Sequence, residues 1–147
     1  MSHSNNAGAC AGCESLFDKY EVFEPSLRLW FDTLRDTHPD AHISCAGRGH
    51  VDQEAAFARG ASKARYGQSA HNYNAAIDLW QMVNGVYTLN QAWFDNVVAP
   101  ALTANLTWYG ERGAVFYELP HVEIANWRAR VAAGTLKLES SNRRTTC

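Results

Sequence analysis

The sequence predicts an α+β fold in which a small antiparallel sheet has helices packed against it. Three observations lead there. Leu27, Trp30, Phe31 and Leu34 repeat at i, i+3, i+4 and i+7, the spacing of one helix face. Short apolar runs such as Ala75 to Trp80 suit strands, and Asn84-Gly85 follows as a tight turn. No internal repeat or linker divides the chain, and 147 residues with 46% hydrophobic content suffice for one domain with a real core.

Residues 1–13 are small and polar and are expected to form a disordered arm. The folded domain is expected over 14–138 and a mobile tail over 139–147. A helix follows Glu24-Pro25-Ser26, because proline suits the first turn. It ends at Thr37-His38-Pro39-Asp40, since the residue before proline disfavours helix. His42 to Ala46 reads as a strand running into Gly47-Arg48-Gly49. Asp52 is placed to cap a helix through Gln53, Ala56 and Phe57, closing at Gly60. Leu89 to Leu106, with Trp93, Phe94, Val97, Val98 and Leu102, predicts an amphipathic helix despite Pro100. Ala114 to Tyr117 and His121 to Ala125 read as the last strands. Trp127 to Ala133 is a closing helix with Gly134 as its cap.

Net charge is −2, which advertises no polyanion-binding surface and argues against nucleic acid as a partner. No apolar run approaches the roughly 20 residues that cross a bilayer. The start, Met1 to Gly8, has neither the charged region nor the apolar core of a secretory signal, so synthesis in the cytoplasm is expected. Cys10-Ala11-Gly12-Cys13 has zinc-knuckle or redox spacing, but no second CxxC completes a structural site. Ordinary reduced thiols are the expectation for these cysteines, as for Cys45 and Cys147; a disulfide or a second metal site is the alternative.

The chemistry lies in Gly67-Gln68-Ser69-Ala70-His71-Asn72-Tyr73-Asn74-Ala75-Ala76-Ile77-Asp78 and in Glu118-Leu119-Pro120-His121-Val122-Glu123. His71, Asp78 and His121 supply three zinc-type ligands, and Glu118 supplies a base. A hydrolytic zinc site needs that set, with a fourth position open to water. In one continuous helix His71 and Asp78 would sit about 10 Å apart along the axis. In one continuous strand their odd separation would put them on opposite faces. The segment must therefore turn, and Asn72-Tyr73-Asn74 is suitable turn chemistry. Asp78 then stands on the following strand with Ala76 and Trp80 on its face.

Pro120 excludes the helical HExxH arrangement. His121 instead enters a strand with Glu123 on its face, and pairing with the strand of Asp78 lets the ligands converge. Glu118 lies just before that strand, where irregular backbone can aim it. Glu123 is either an alternative base or the hydrogen-bond partner of a ligand histidine. No base is placed to make Ser69 a nucleophile, which excludes a serine hydrolase. His3, His38, His42 and His50 show no ligand pattern.

Ser69-Ala70-His71, Ala76-Ile77-Asp78 and Glu118-Leu119-Pro120-His121 resemble the SxH…AxD and (D/E)xPH signatures of the LAS metallopeptidases, which include D-Ala-D-Ala carboxypeptidases and dipeptidases and L-alanyl-D-glutamate peptidases. Trp108-Tyr109-Gly110, the run Pro120 to Glu123 and the small size favour the endopeptidase branch used in phage endolysins. The resemblance covers roughly residues 44–127 and implies a LAS/hedgehog-like fold with one catalytic zinc ion. It implies cleavage of the L-Ala–D-Glu bond of peptidoglycan stem peptides, with Arg48 stabilising the oxyanion and binding substrate, and Ser69 and Gln53 as substrate contacts. The alternatives are a D-Ala-D-Ala dipeptidase or carboxypeptidase, or a non-catalytic zinc-containing wall-binding module. A monomer is expected, reaching the wall through a holin or another release system. Asn74 stands where that family usually has glycine, and Glu118 where many phage endopeptidases have aspartate.

Overall fold

The computed structural model describes residues 10–18, 23–114 and 116–139. Helix α1 (Ala11–Asp18) and helix α2 (Pro25–Thr37) come first, followed by strand β1 (Ala41–Cys45) and helix α3 (His50–Ala58). A 3-10 turn at Ala70–Tyr73 leads into β2 (Ala76–Val83) and β3 (Val86–Thr88). The chain continues through α4 (Gln91–Trp93), β4 (Leu106–Tyr109), β5 (Glu118–Ile124) and α5 (Trp127–Ala132). The strands form one open antiparallel sheet in the order β1-β2-β5-β4, with β3 paired to the far end of β2. The fold is therefore α+β, as expected. Among the described residues no helix is long and apolar enough to cross a membrane.

Helix α2 buries Leu27, Phe31 and Leu34, the predicted stripe, while the indole of Trp30 donates to the Ala101 carbonyl at 2.8 Å. Each such apolar side chain contributes about 1.5–3 kcal/mol through burial. Arg35, in the last turn, is also buried. Its guanidinium donates to the carbonyls of Pro39 (2.8 Å) and Ala41, closing the turn into β1.

The chain enters the core earlier than its composition suggests. Cys10, Cys13 and Phe17 are buried, and the Phe17 and Phe31 rings lie 5.8 Å apart. The expected disordered arm over 1–13 is corrected accordingly: amphipathic spacing of Cys13 and Phe17 on α1 outweighs the small residues before them. Residues 1–9 lie outside the described residues. Glu139 is also held, its N–H donating to the Asn72 carbonyl at 2.6 Å, so the expected tail from 139 is shortened; 140–147 lie outside the described residues. Cys45 is disulfide-bonded, which corrects the reduced state expected of it.

Three other elements differ from expectation. Helix α3 starts at His50, with Gly49 rather than Asp52 at its N-cap, and Asp52 lies buried in the first turn. There a carboxylate still favours the helix dipole. The long helix over 89–106 is instead α4, a π-helical turn (Phe94–Val98) and a 3-10 turn (Ala99–Ala101). Pro100 has no N–H to continue an α ladder. Leu106 and Trp108 then alternate with Thr107 and Tyr109 as β4, buried against half-buried. Described residues of 114–117 form a loop rather than a strand, with Phe116 and Tyr117 exposed.

The β4–β5 edge carries a wide bulge. Trp108 lies opposite Val122, but Tyr109 lies opposite Glu118, so Leu119 to His121 have no partners on β4. Pro120, lacking a ladder donor, suits that interruption. The Trp108 indole donates to the Leu119 carbonyl at 2.7 Å and folds back over Gly110. A Cβ at Gly110 would lie 2.1 Å from that ring.

Candidate metal centre

Strands β2 and β5 pair in the register that sets Asp78 directly opposite His121. Directly opposed residues on antiparallel strands project to the same side. The third residue comes from the 3-10 turn at Ala70–Tyr73. Ser69 starts that turn by accepting from the His71 N–H at 3.3 Å, and Asn74 ends it with left-handed backbone (φ 55°). The chain thus reverses between His71 and Asp78 where turn residues were expected to reverse it.

The three side chains converge. His71 Nε2 lies 3.2 Å from Asp78 Oδ1, and His121 Nδ1 lies 3.6 Å from the same oxygen. A tetrahedral zinc ion with ordinary Zn–N and Zn–O bonds separates such donors by about 3.4 Å. Each imidazole has its other nitrogen fixed. His71 Nδ1 lies 2.7 Å from the Ala46 carbonyl, and His121 Nε2 lies 2.6 Å from Glu123 Oε1. Carbonyls and carboxylates only accept, so those nitrogens carry the protons and the facing nitrogens present lone pairs. His71 Nε2, Asp78 Oδ1 and His121 Nδ1 are buried without a hydrogen-bond partner in the structure. Three orphaned buried donors aimed at one point fit a metal ion, which would satisfy them all at once.

Electrostatics agree. Burial alone would raise the Asp78 carboxyl, but the facing imidazoles of His71 and His121 hold it well below the usual carboxylate range. Burial would lower His121, yet its hydrogen bonds to Asp78 and Glu123 push it up to about 10 in the metal-free protein. A proton therefore competes with a metal for Nδ1, and metal binding weakens as pH falls.

Glu123 is fully committed. Besides His121 it accepts from the Tyr109 hydroxyl (3.1 Å) and the Trp127 indole (2.8 Å). These bonds outweigh burial and hold its carboxyl below the ordinary value. The Tyr109 ring also stacks on His121, with centroids 5.8 Å apart. Of the two readings of Glu123, the geometry matches the partner of a ligand histidine. Glu118 differs. It stands at the first position of β5, across the bulge from His121, and its side chain has no hydrogen bond or ion pair among the described residues. Its charge nevertheless acts on both His121 and Tyr109.

Arg48 reaches the centre, with Nη2 3.9 Å from Asp78 Oδ2 and Nη1 donating to Gln53 Oε1 at 3.2 Å. The substrate contact expected of Gln53 is corrected by its surroundings. Gln53 is completely buried, and its amide also binds Asn72 Nδ2 (3.1 Å), Ser62 Oγ (3.1 Å) and the Ala64 carbonyl (2.6 Å). All four of its hydrogen-bonding positions are used inside the protein, so it positions Arg48. Ser69 Oγ serves the backbone of the His71 turn.

Asn72 is the residue that motif reading missed. Fully buried, it accepts from the N–H groups of Gly67 (3.0 Å) and Ser69 (3.1 Å) and donates to the Arg48 carbonyl (2.9 Å) and Gln53. Ser69-x-x-Asn72 is a capping-box pattern with asparagine at its last position, a signal that was present in the sequence.

No family model matches this sequence, and no curated protein matches it. A solved structure does. The crystal structure of Serratia marcescens L-Ala D-Glu endopeptidase ChiX superposes with a TM-score of 0.65, at 17% identity, over 81% of this chain and 90% of that chain. The two proteins share a fold. A likeness at that identity does not by itself transfer an activity.

Proposed function

We propose that this protein is a zinc peptidase that cleaves the L-Ala–D-Glu bond of peptidoglycan stem peptides. The observation that carries the metal is the convergence of the three orphaned donors of His71, Asp78 and His121. The fold shared with an L-Ala D-Glu endopeptidase supports the substrate. Zinc held by those donors supplies a Lewis acid and lowers the pKa of a water at the open position toward about 7.

The chain's own residues do the rest. Glu118, the uncommitted carboxylate, takes the proton of the attacking water and passes it to the departing nitrogen of D-glutamate, a role typically worth about 10²–10⁴ in rate. Arg48, held by Gln53 and Asp78, donates to the carbonyl oxygen as it gains negative charge, worth about 10²–10³ by comparison with other oxyanion donors. Glu123 and the Ala46 carbonyl keep both imidazoles in the required tautomers. Acting on this substrate places the protein's work outside the cytoplasmic membrane.

The test is mass spectrometry of purified peptidoglycan after incubation with the zinc-loaded protein, with and without a chelator. New stem fragments beginning at D-glutamate, lost on chelation, are expected. Glu118→Gln should keep its zinc and lose about 10²–10⁴ in rate; near-normal turnover in that variant would remove the assigned base. Release of terminal D-alanine alone would move the protein to the carboxypeptidases. Absence of cleavage by the zinc-loaded protein would leave a wall-binding module.

A further inference from the structure

A second cluster of metal-type donors lies away from this centre, where α1 packs on β1. Cys10, Cys13 and His42 are at most 1% exposed. Cys10 Sγ lies 3.6 Å and Cys13 Sγ 3.8 Å from His42 Nδ1, and the three ligand atoms all fall within 4.8 Å of one another. We propose that Cys10, Cys13 and His42 bind a second zinc ion, held through two thiolates and one imidazole, whose role is to staple the first helix to the sheet. This inference is independent of the proposed peptidase activity.

Distances argue for it first. Zinc bonds of about 2.3 Å to sulfur and 2.0–2.1 Å to nitrogen put tetrahedral S and N donors about 3.6 Å apart. That matches both sulfur–nitrogen separations. The loop chemistry matches too. Cys-x-x-Cys carries both sulfurs on one turn, and the Cys13 N–H donates to Cys10 Sγ at 3.2 Å, which favours the thiolate a metal needs. Soft sulfur donors select zinc over magnesium or calcium. Burial argues against a redox pair, since no external thiol can approach sulfurs this enclosed. Both remain free thiols while Cys45 in the same protein is disulfide-bonded.

Register explains what such an ion would hold. His42 lies opposite Trp80 on β2, two residues from Asp78. An ion here ties α1 to the strand beside the one carrying a ligand of the first centre. The fourth position of its tetrahedron is not filled by any His, Cys or carboxylate among the described residues.

Cobalt(II) titration of the reduced full-length protein separates the two centres, because only thiolate ligands give the near-ultraviolet sulfur-to-cobalt charge-transfer band. That band is expected in the unaltered protein and should persist in a His71→Ala, His121→Ala double variant, which loses one equivalent of bound metal. It should vanish in Cys13→Ser. A reduced, unaltered protein that takes up cobalt without the band overturns the proposal. So does a band that Cys10→Ser and Cys13→Ser both leave intact, or peptide mapping that finds Cys10 and Cys13 joined in a disulfide. The spectrum of the unaltered protein decides the matter even if the cysteine variants fail to fold.

Discussion

Asp78 and His121 face each other across a β ladder, whereas His71 stands on a 3-10 turn that belongs to no strand. The first pair is aligned by backbone hydrogen bonds repeated along two strands. The turn is aligned by buried side-chain amides, chiefly Asn72 and Gln53, each bound to several partners far along the chain. A ladder spreads its alignment over many equivalent bonds, so one side chain matters little to it. A network of amides concentrates alignment in one or two residues, and removing one leaves several buried groups without partners.

Breaking the network should therefore cost most. Asn72→Ala removes four hydrogen bonds at a fully buried position and is expected to destabilise the protein by about 3–5 kcal/mol in urea unfolding. A loss under about 1 kcal/mol would show that the turn does not depend on it.

On the ladder side, Glu123→Gln leaves the strands intact and removes only the charge behind His121. Zinc affinity should fall about 10–100-fold in competition with a chelator. The sign of the pH effect follows from the imidazole. Glu123 helps hold a proton on His121 in the metal-free protein, so removing its charge lowers that pKa. Proton competition should then fade at a lower pH in the variant than in the unaltered protein.

The smallest change is expected at Asn74. Glycine would relieve its positive φ but lose the bond from Nδ2 to Glu139 (2.9 Å). Those effects oppose each other, so Asn74→Gly should shift stability by no more than about 1 kcal/mol and leave zinc stoichiometry unchanged.

The same contrast governs what could be read from the sequence. Seven residues between His71 and Asp78 forced a turn, and Pro120 forced His121 onto a strand, so the ligand set followed from spacing and backbone rules alone. The capping asparagine and its partners did not, because Asn72 meets Gln53 and Arg48 only after nineteen and twenty-four residues of intervening chain have folded. Helical spacing in Trp93, Phe94, Val97 and Val98 was genuine, yet Pro100 broke the ladder and the period changed to two at Leu106. The sulfurs of Cys10 and Cys13 looked like an exposed arm because the strand residue that meets them, His42, lies about thirty positions away.

The fold of the Trp108 indole over Gly110 has a consequence for how this protein can change over generations. Any side chain at position 110 would enter the space the indole already fills. Position 110 is closed to substitution until position 108 shrinks, but a smaller residue at 108 also surrenders the donor to Leu119. Variation at the two sites is thus obliged to come in one order, and a random library should recover changes at 110 only in backgrounds where 108 has already been altered.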